Sequence, residues 1–129
     1  MGNCKIYPGK LKGDVKIPPS KSMAHRAVIC AALSDGICKV TNIDYSDDII
    51  ATIEAMKSLG AVITKKGDDL EVIGIKSPDN KVNGNIDSER TIDCNESGST
   101  LRFLVPIAAL FEGVNRFVGR GNLGKRPLN

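Results

Sequence analysis

Ala31-Ala32-Leu33-Ser34-Asp35-Gly36-Ile37-Cys38-Lys39-Val40 is matched, 77 residues later, by Ala108-Ala109-Leu110-Phe111-Glu112-Gly113-Val114-Asn115-Arg116-Phe117. Eight of these ten positions are identical or alike in chemical type. Each copy reads as the end of an apolar helix, an acidic residue, a glycine suited to the left-handed position after a helix, and a strand. A glycine after a helix and branched residues in a strand are common to many αβ corners, so two unrelated corners are the alternative. Duplication accounts better for the shared acidic and glycine positions. The unit it implies is βαβαββ, and the fold class is α/β (α+β) built from repeats of that unit, with one whole copy and the start of a second.

The rest of the chain fits around those copies. Residues 4–7 and 15–17 are short, apolar and bounded by Pro and Gly, which predicts two strands or one hairpin. Pro18-Pro19 sets an extended turn. Residues 20–33 form a helix capped by Ser20 or Ser22, and its interior AVICAAL, apolar on every side, predicts burial. A strand spans residues 37–42. A second helix starts at Asp47, with Ile49, Ile50, Ile53, Met56 and Leu59 at helical spacing and Asp47 and Asp48 at its positive end, and stops at Gly60. Residues 61–65 and 70–75 flank a Gly-Asp turn and predict an antiparallel hairpin. Residues 78–85 read as loop. A third helix runs from Ser97 or Ser99 to about Phe111, with a kink or break expected at Pro106, and residues 114–118 form a strand.

Composition bounds the function. The 129 residues suffice for one domain, and with 4% aromatic residues and no Trp the core must be Ile, Val, Leu, Ala and Met. Eighteen Lys and Arg against fifteen Asp and Glu, interspersed along the chain, argue against a nucleic-acid surface and for a few cations converging on a small anion. Cys4, Cys30, Cys38 and Cys94 form no C-x-x-C pair, and the single His25 stands at no metal-ligand spacing from them. No zinc site is expected. The opening MGNCKIYPGKLKG has no apolar leader, Ile6 breaks the acylation pattern that Met-Gly would begin, and the longest apolar run, residues 27–33, is too short to span a bilayer. The expectation is a cytoplasmic chain with free thiols and no membrane partner.

Three segments can hold an anion. Pro19-Ser20-Lys21-Ser22-Met23-Ala24-His25-Arg26 places a Lys, hydroxyls and an Arg at a helix amino end, where free N–H groups and the dipole favour negative charge. The same cations oppose the dipole and so do not serve the helix; the bland alternative is a Ser cap followed by solvated charges. Asn95-Glu96-Ser97-Gly98-Ser99-Thr100-Leu101-Arg102 repeats the arrangement, with a Gly permitting close backbone approach, against the alternative of a flexible loop with a capping Ser. Neither segment has P-loop or dinucleotide spacing. Gly119-Arg120-Gly121-Asn122-Leu123-Gly124-Lys125-Arg126-Pro127 is a third anion contact or a mobile basic loop. His25 reads as a packing or surface residue, and Asp47-Asp48 as a helix-start pair.

The three segments, in this order, resemble the enolpyruvyl transferase family. Lys21-Ser22 with Arg26 looks like the family's S-K-S-x-x-x-R segment, Ser46-Asp47-Asp48 with Met56 and Leu59-Gly60 like its S-D-D helix, and Gly98 and Arg126-Pro127 complete the series. The S-K-S-x-x-x-R pattern favours the shikimate branch over the relatives that act on UDP-N-acetylglucosamine. The resemblance implies an inside-out α/β barrel and, for the whole enzyme, transfer of the enolpyruvyl group of phosphoenolpyruvate to the 5-hydroxyl of shikimate 3-phosphate, in chorismate biosynthesis, with no metal and no organic cofactor expected. By position, Lys21 would be catalytic and contact both substrates, Ser22 and Arg26 would bind shikimate 3-phosphate, and Gly98 and Arg126 would bind phosphoenolpyruvate or glyphosate. Ser97, Ser99, Arg102 and Glu96 are further candidates, although Glu96 stands where many members carry Asn.

Family members exceed four hundred residues in two domains, so residues 1–18 would belong with an absent second domain and 19–129 with an incomplete first one. The chain alone is then expected to be inactive and to self-associate through exposed surface. The competing readings are a non-catalytic small-anion-binding module and, last, a nucleic-acid or partner-binding domain, which the few aromatics disfavour.

Overall fold

The computed structural model describes residues 3–15, 17–75 and 89–127. Three helices and five strands follow one another as α1 (Lys21–Leu33), β1 (Ile37–Val40), α2 (Asp47–Ser58), β2 (Val62–Lys66), β3 (Asp69–Ile73), β4 (Glu89–Asp93), α3 (Gly98–Ala108) and β5 (Val114–Val118), with a 3₁₀ turn at Leu123–Lys125. Strands β1, β3 and β2 form an antiparallel sheet with β3 in the middle, and β4 and β5 pair in parallel. The parallel pair needs a crossover, which α3 supplies.

Local chemistry accounts for most boundaries. Ser20 caps α1 by accepting the Met23 N–H (3.4 Å), and Ser97 caps α3 by accepting the Thr100 N–H (3.1 Å). The two copies of the repeat align: α1 and α3 are each followed by a glycine at positive φ, Gly36 at 111° and Gly113 at 98°, and then by a strand. A side chain is disfavoured at such angles, which is why glycine recurs there. Gly67, at φ 63°, lies in the two-residue turn that joins β2 to β3, where Lys66 faces Asp69.

The core is aliphatic. Val28, Ile49, Ile53, Met56, Leu70, Val72, Ile92 and Leu104 are fully buried where the helices cover one face of each sheet, while Phe103, Phe111 and Phe117 reach only its rim. Among the described residues no helix is long and apolar enough to cross a membrane. Cys94 is buried, and that burial, reinforced by neighbouring Asp93, pushes its thiol up to about 11. Iodoacetamide applied to the folded chain at pH 8 should modify exposed Cys4 and Cys30 and leave Cys94 untouched until denaturant is added. Peptide mapping by mass spectrometry checks this, and prompt alkylation of Cys94 would contradict it.

Four expectations need correction. Residues 4–7 and 15–17 form no strand among the described residues; the segment is an extended arm on which Ile6, Tyr7, Leu11, Val15 and Ile17 are all exposed. Their apolar character suits a sheet, but among the described residues no strand pairs with them. Helix α1 is not buried all round: Met23, Cys30 and Leu33 face solvent while Ala24, Val28 and Ala32 face the core. Only one stripe of a helix at the edge of two layers can be covered. Helix α3 runs through Pro106 without a break and ends at Ala108, short of Phe111. Strand β4 was not foreseen, because its sequence ERTID holds one apolar residue, Ile92, which the parallel partner and α2 enclose. The loop assigned to residues 78–85 lies outside the described residues.

Candidate functional site

The three helix amino ends lie side by side. Lys21, the first residue of α1, pairs its ammonium with the carboxylate of Asp48 in the first turn of α2. Asp47-Asp48 is therefore a helix-start pair, as expected, and also the anchor of the Lys21 side chain. Both groups of the pair keep solvent access, so the contact itself is worth no more than about 1 kcal/mol. One turn on, the Arg26 Nη1 donates to the Ser22 carbonyl (2.9 Å) and the guanidinium lies 5.2 Å from the centre of the Phe103 ring. That stacking on α3 aims an exposed cation along the α1–α3 edge. The Ser22 hydroxyl is exposed beside it.

At α3, Gly98 is buried, and two guanidinium groups close over it. A Cβ built at Gly98 would lie 2.9 Å from Arg102 Nη1 and 3.4 Å from Arg126 Nη1. Arg102 holds this posture by donating from Nη1 to the Gly98 carbonyl (3.4 Å) and from Nη2 to the Pro127 carbonyl (2.8 Å). Thus Gly98, Arg102 and Arg126, drawn from two separate segments, meet at one helix amino end. Ser99 is exposed next to them, and Ser97 is buried as the cap.

The segment that delivers Arg126 is anchored along its length. The Arg120 N–H donates to the Asn95 carbonyl (2.7 Å), and the Arg120 guanidinium donates to the Asp93 carboxylate (2.7 Å). The Asn95 backbone N–H and Arg120 together hold the Asp93 carboxyl below its ordinary range. Leu123 is buried, its side chain lying against Gly119 so closely that a Cβ there would come within 2.6 Å of Leu123 Cδ2. The reading of residues 119–127 as a mobile loop gives way to a pinned one, because contacts with the β4–α3 corner, invisible in the local sequence, hold it.

Glu96 is exposed and its carboxylate lies against Gly121, so closely that a Cβ there would clash with both of its oxygens. Its carboxylate packs on the loop, with no hydrogen bond to Arg102 or Arg126. His25 is a packing residue: it is 2% exposed, its Nδ1 is 2.7 Å from Thr52 Oγ1, and burial lowers its pKa below the ordinary 6.5 despite the opposing charge of Asp48. Among the described residues no three His, Cys, Asp or Glu side chains gather as metal ligands.

Sequence reasoning missed Thr52 and Thr100. Both are fully buried, and Thr52 Oγ1 and Thr100 Oγ1 are 2.7 Å apart. The available signal was a threonine within the apolar stripe of each of two helices, where only a hydroxyl with a partner is tolerated. The arrangement as a whole offers free backbone N–H groups, a lysine and three arginines to compact anions.

Comparison with known proteins bears on what those anions are. A family model described as EPSP synthase (3-phosphoshikimate 1-carboxyvinyltransferase) matches residues 6–129. The chain is 81% identical over 129 residues to the 3-phosphoshikimate 1-carboxyvinyltransferase of Clostridium beijerinckii, aligning over 100% of its own length and 30% of that protein's. It is 67% identical to the protein of the same name from Clostridioides difficile, again over 100% of this chain and 30% of the relative. The fold is similar to that of EPSP synthase from Acinetobacter baumannii, with a TM-score of 0.73 at 24% identity, over 90% of this chain and 26% of that one. The chain thus spans about 30% of the length of the curated relatives it matches.

Proposed function

The chain belongs to the EPSP synthase family, and from that premise we propose that it is the amino-terminal part of a 3-phosphoshikimate 1-carboxyvinyltransferase, forming one wall of its active site. The observation that carries this reading is the pair of guanidinium groups, Arg102 and Arg126, closed over Gly98 at the amino end of α3. Phosphoenolpyruvate, with a carboxylate and a phosphate on adjacent atoms, suits such a fork. Lys21, Ser22 and Arg26 at the α1 entrance receive the phosphate of shikimate 3-phosphate, and Lys21 faces both substrates. In the reaction the 5-hydroxyl oxygen adds to C2 of phosphoenolpyruvate while C3 takes a proton. Loss of phosphate and of a C3 proton then restores the double bond. Fixed cations stabilise the negative charge on both substrates throughout, without reorganising.

The exposed apolar arm supports the reading that residues 1–18 pair with a second domain beyond residue 129. Leu11 is fully exposed and Val15 is 84% exposed, an arrangement a partner sheet would relieve. The proton-transfer groups are assigned to the same missing part, so the chain alone binds anions weakly, tends to self-associate and turns nothing over. A cleft with one wall neither excludes water nor assembles an acid and a base.

The test is a hybrid in which this chain replaces the matching stretch of the Clostridium beijerinckii relative. Phosphate release from phosphoenolpyruvate and shikimate 3-phosphate is expected from the hybrid and not from the chain alone. A folded hybrid without turnover, or a chain that turns over unaided, would overturn the proposal.

A further inference from the structure

A line of buried hydroxyls runs across all three helices. His25 Nδ1 meets Thr52 Oγ1 at 2.7 Å, Thr52 Oγ1 meets Thr100 Oγ1 at 2.7 Å, and Thr100 Oγ1 meets Ser97 Oγ at 2.7 Å. None of the four residues is more than 2% exposed. The line begins on α1, one position before Arg26, crosses α2 one turn after Asp48, and ends on the residue that caps α3 beside Gly98. The Asp48 carbonyl lies 3.2 Å from Thr52 Oγ1 and 3.4 Å from Thr100 Oγ1, a second and longer acceptor contact for each hydroxyl, so the residue that anchors Lys21 borders the same network.

Its polarity follows from counting protons. Thr100 donates its one hydroxyl proton to Ser97 Oγ, which also accepts the Thr100 N–H. At 2.7 Å from Thr52, the Thr100 oxygen must then accept, and Thr52 donates its only proton to it. The His25 contact is left with one possible donor, Nδ1–H. His25 Nε2 is buried without a partner, and a bare ring nitrogen there leaves no N–H stranded, whereas the reverse polarity would bury one. On this polarity His25 carries its proton on Nδ1 and leaves Nε2 as the bare ring nitrogen.

We propose that His25, Thr52 and Thr100 form a positioning chain that locks the amino ends of α1 and α3 in register across α2, and so sets the distance between the two anion sites. None of the three touches substrate in this arrangement. Apolar packing alone tolerates small slides of one helix along another, whereas two short interhelical hydrogen bonds, continued into the α3 cap with a single consistent polarity, do not. The two substrates must react with each other, so an error of about 1 Å in their separation is felt in turnover more than in the binding of either.

This inference rests on the proposed function, and its test separates the two. If the unsubstituted hybrid enzyme lacks turnover, the functional reading fails. Given an active hybrid, Thr52→Val, which keeps the side-chain shape and removes the central hydroxyl, is expected to lower kcat about tenfold, with smaller changes in KM for either substrate. Thr52→Ser is expected to recover most of that loss. A Thr52→Val hybrid that folds and keeps kcat within about twofold would overturn the proposal, as would a Thr52→Ser hybrid as slow as the valine variant. The second measurement does not depend on any variant at Thr52 folding: ¹⁵N NMR of the hybrid, with the His25 signal assigned by its loss in His25→Asn, is expected to show protonation on Nδ1. Protonation on Nε2 would overturn the chain as described.

Discussion

Lys21→Ala in the hybrid enzyme is expected to lower turnover by about 10²- to 10³-fold, the loss typical of removing one fixed charge-stabilising donor, while leaving the fold nearly as stable. The two halves of that expectation have different causes. Lys21 starts α1, where a positive charge opposes the helix dipole, and its ion pair with Asp48 is exposed, so its contribution to stability is small. Asp48, freed of its partner, still sits in the first turn of α2, where the dipole favours a carboxylate. On the proposed function, what the substitution removes is a cation placed for ligand. Steady-state phosphate release together with a thermal melt checks both halves. Turnover within about threefold of the unsubstituted hybrid would remove Lys21 from the site, since it is far less than one such donor supplies.

Gly74→Ala is expected to cost about 3 kcal/mol of stability, at or beyond the upper end of ordinary overpacking. Gly74 follows β3 and is pressed on the end of α1, its N–H donating to the Gly36 carbonyl at 3.0 Å while the next N–H, of Ile75, donates to the Ala32 carbonyl at 2.8 Å. A methyl group at Gly74 would lie 1.8 Å from the backbone oxygen of Ser34 and 3.3 Å from that of Ala31. Neither neighbour is a side chain that can swing aside. The α1 terminus or β3 must move, and both belong to the core. Thermal melting of the chain should show a midpoint lower by about 10 °C, given a few degrees per kcal/mol for a domain of this size. A midpoint within about 2 °C, the equivalent of well under 1 kcal/mol, would mean that the α1–β3 contact is looser than described.

On the proposed function, the hydrogen-bonded chain through Thr52 gives a reason for the small residues and hydroxyls at the helix amino ends. Each amino end would present free N–H groups to a ligand and yet stay fixed against its neighbours. Ser97 holds α3 from inside, which leaves Gly98 and Ser99 for the ligand on that reading.

The helices, the β2–β3 hairpin and strand β5 were readable from the residues alone, because each depends on local signals. Capping serines, apolar spacing, and glycines at the end of α1 and in the β2–β3 turn act within a few residues of themselves. The three segments proposed to hold anions were readable for the same reason, since a helix amino end with a cation nearby is a local feature. What lay beyond local reading depends on contacts between distant parts of the chain. Strand β4 exists because β5 and α2 cover its one apolar residue, Ile92, and among the described residues no strand pairs with the exposed segment before Pro18. Arg126 lies beside Gly98 because Leu123, Arg120 and Asn95 hold its loop there. The line from His25 to Ser97 joins residues on three helices whose meeting depends on packing, so only the tertiary structure brings their hydroxyls within bonding distance.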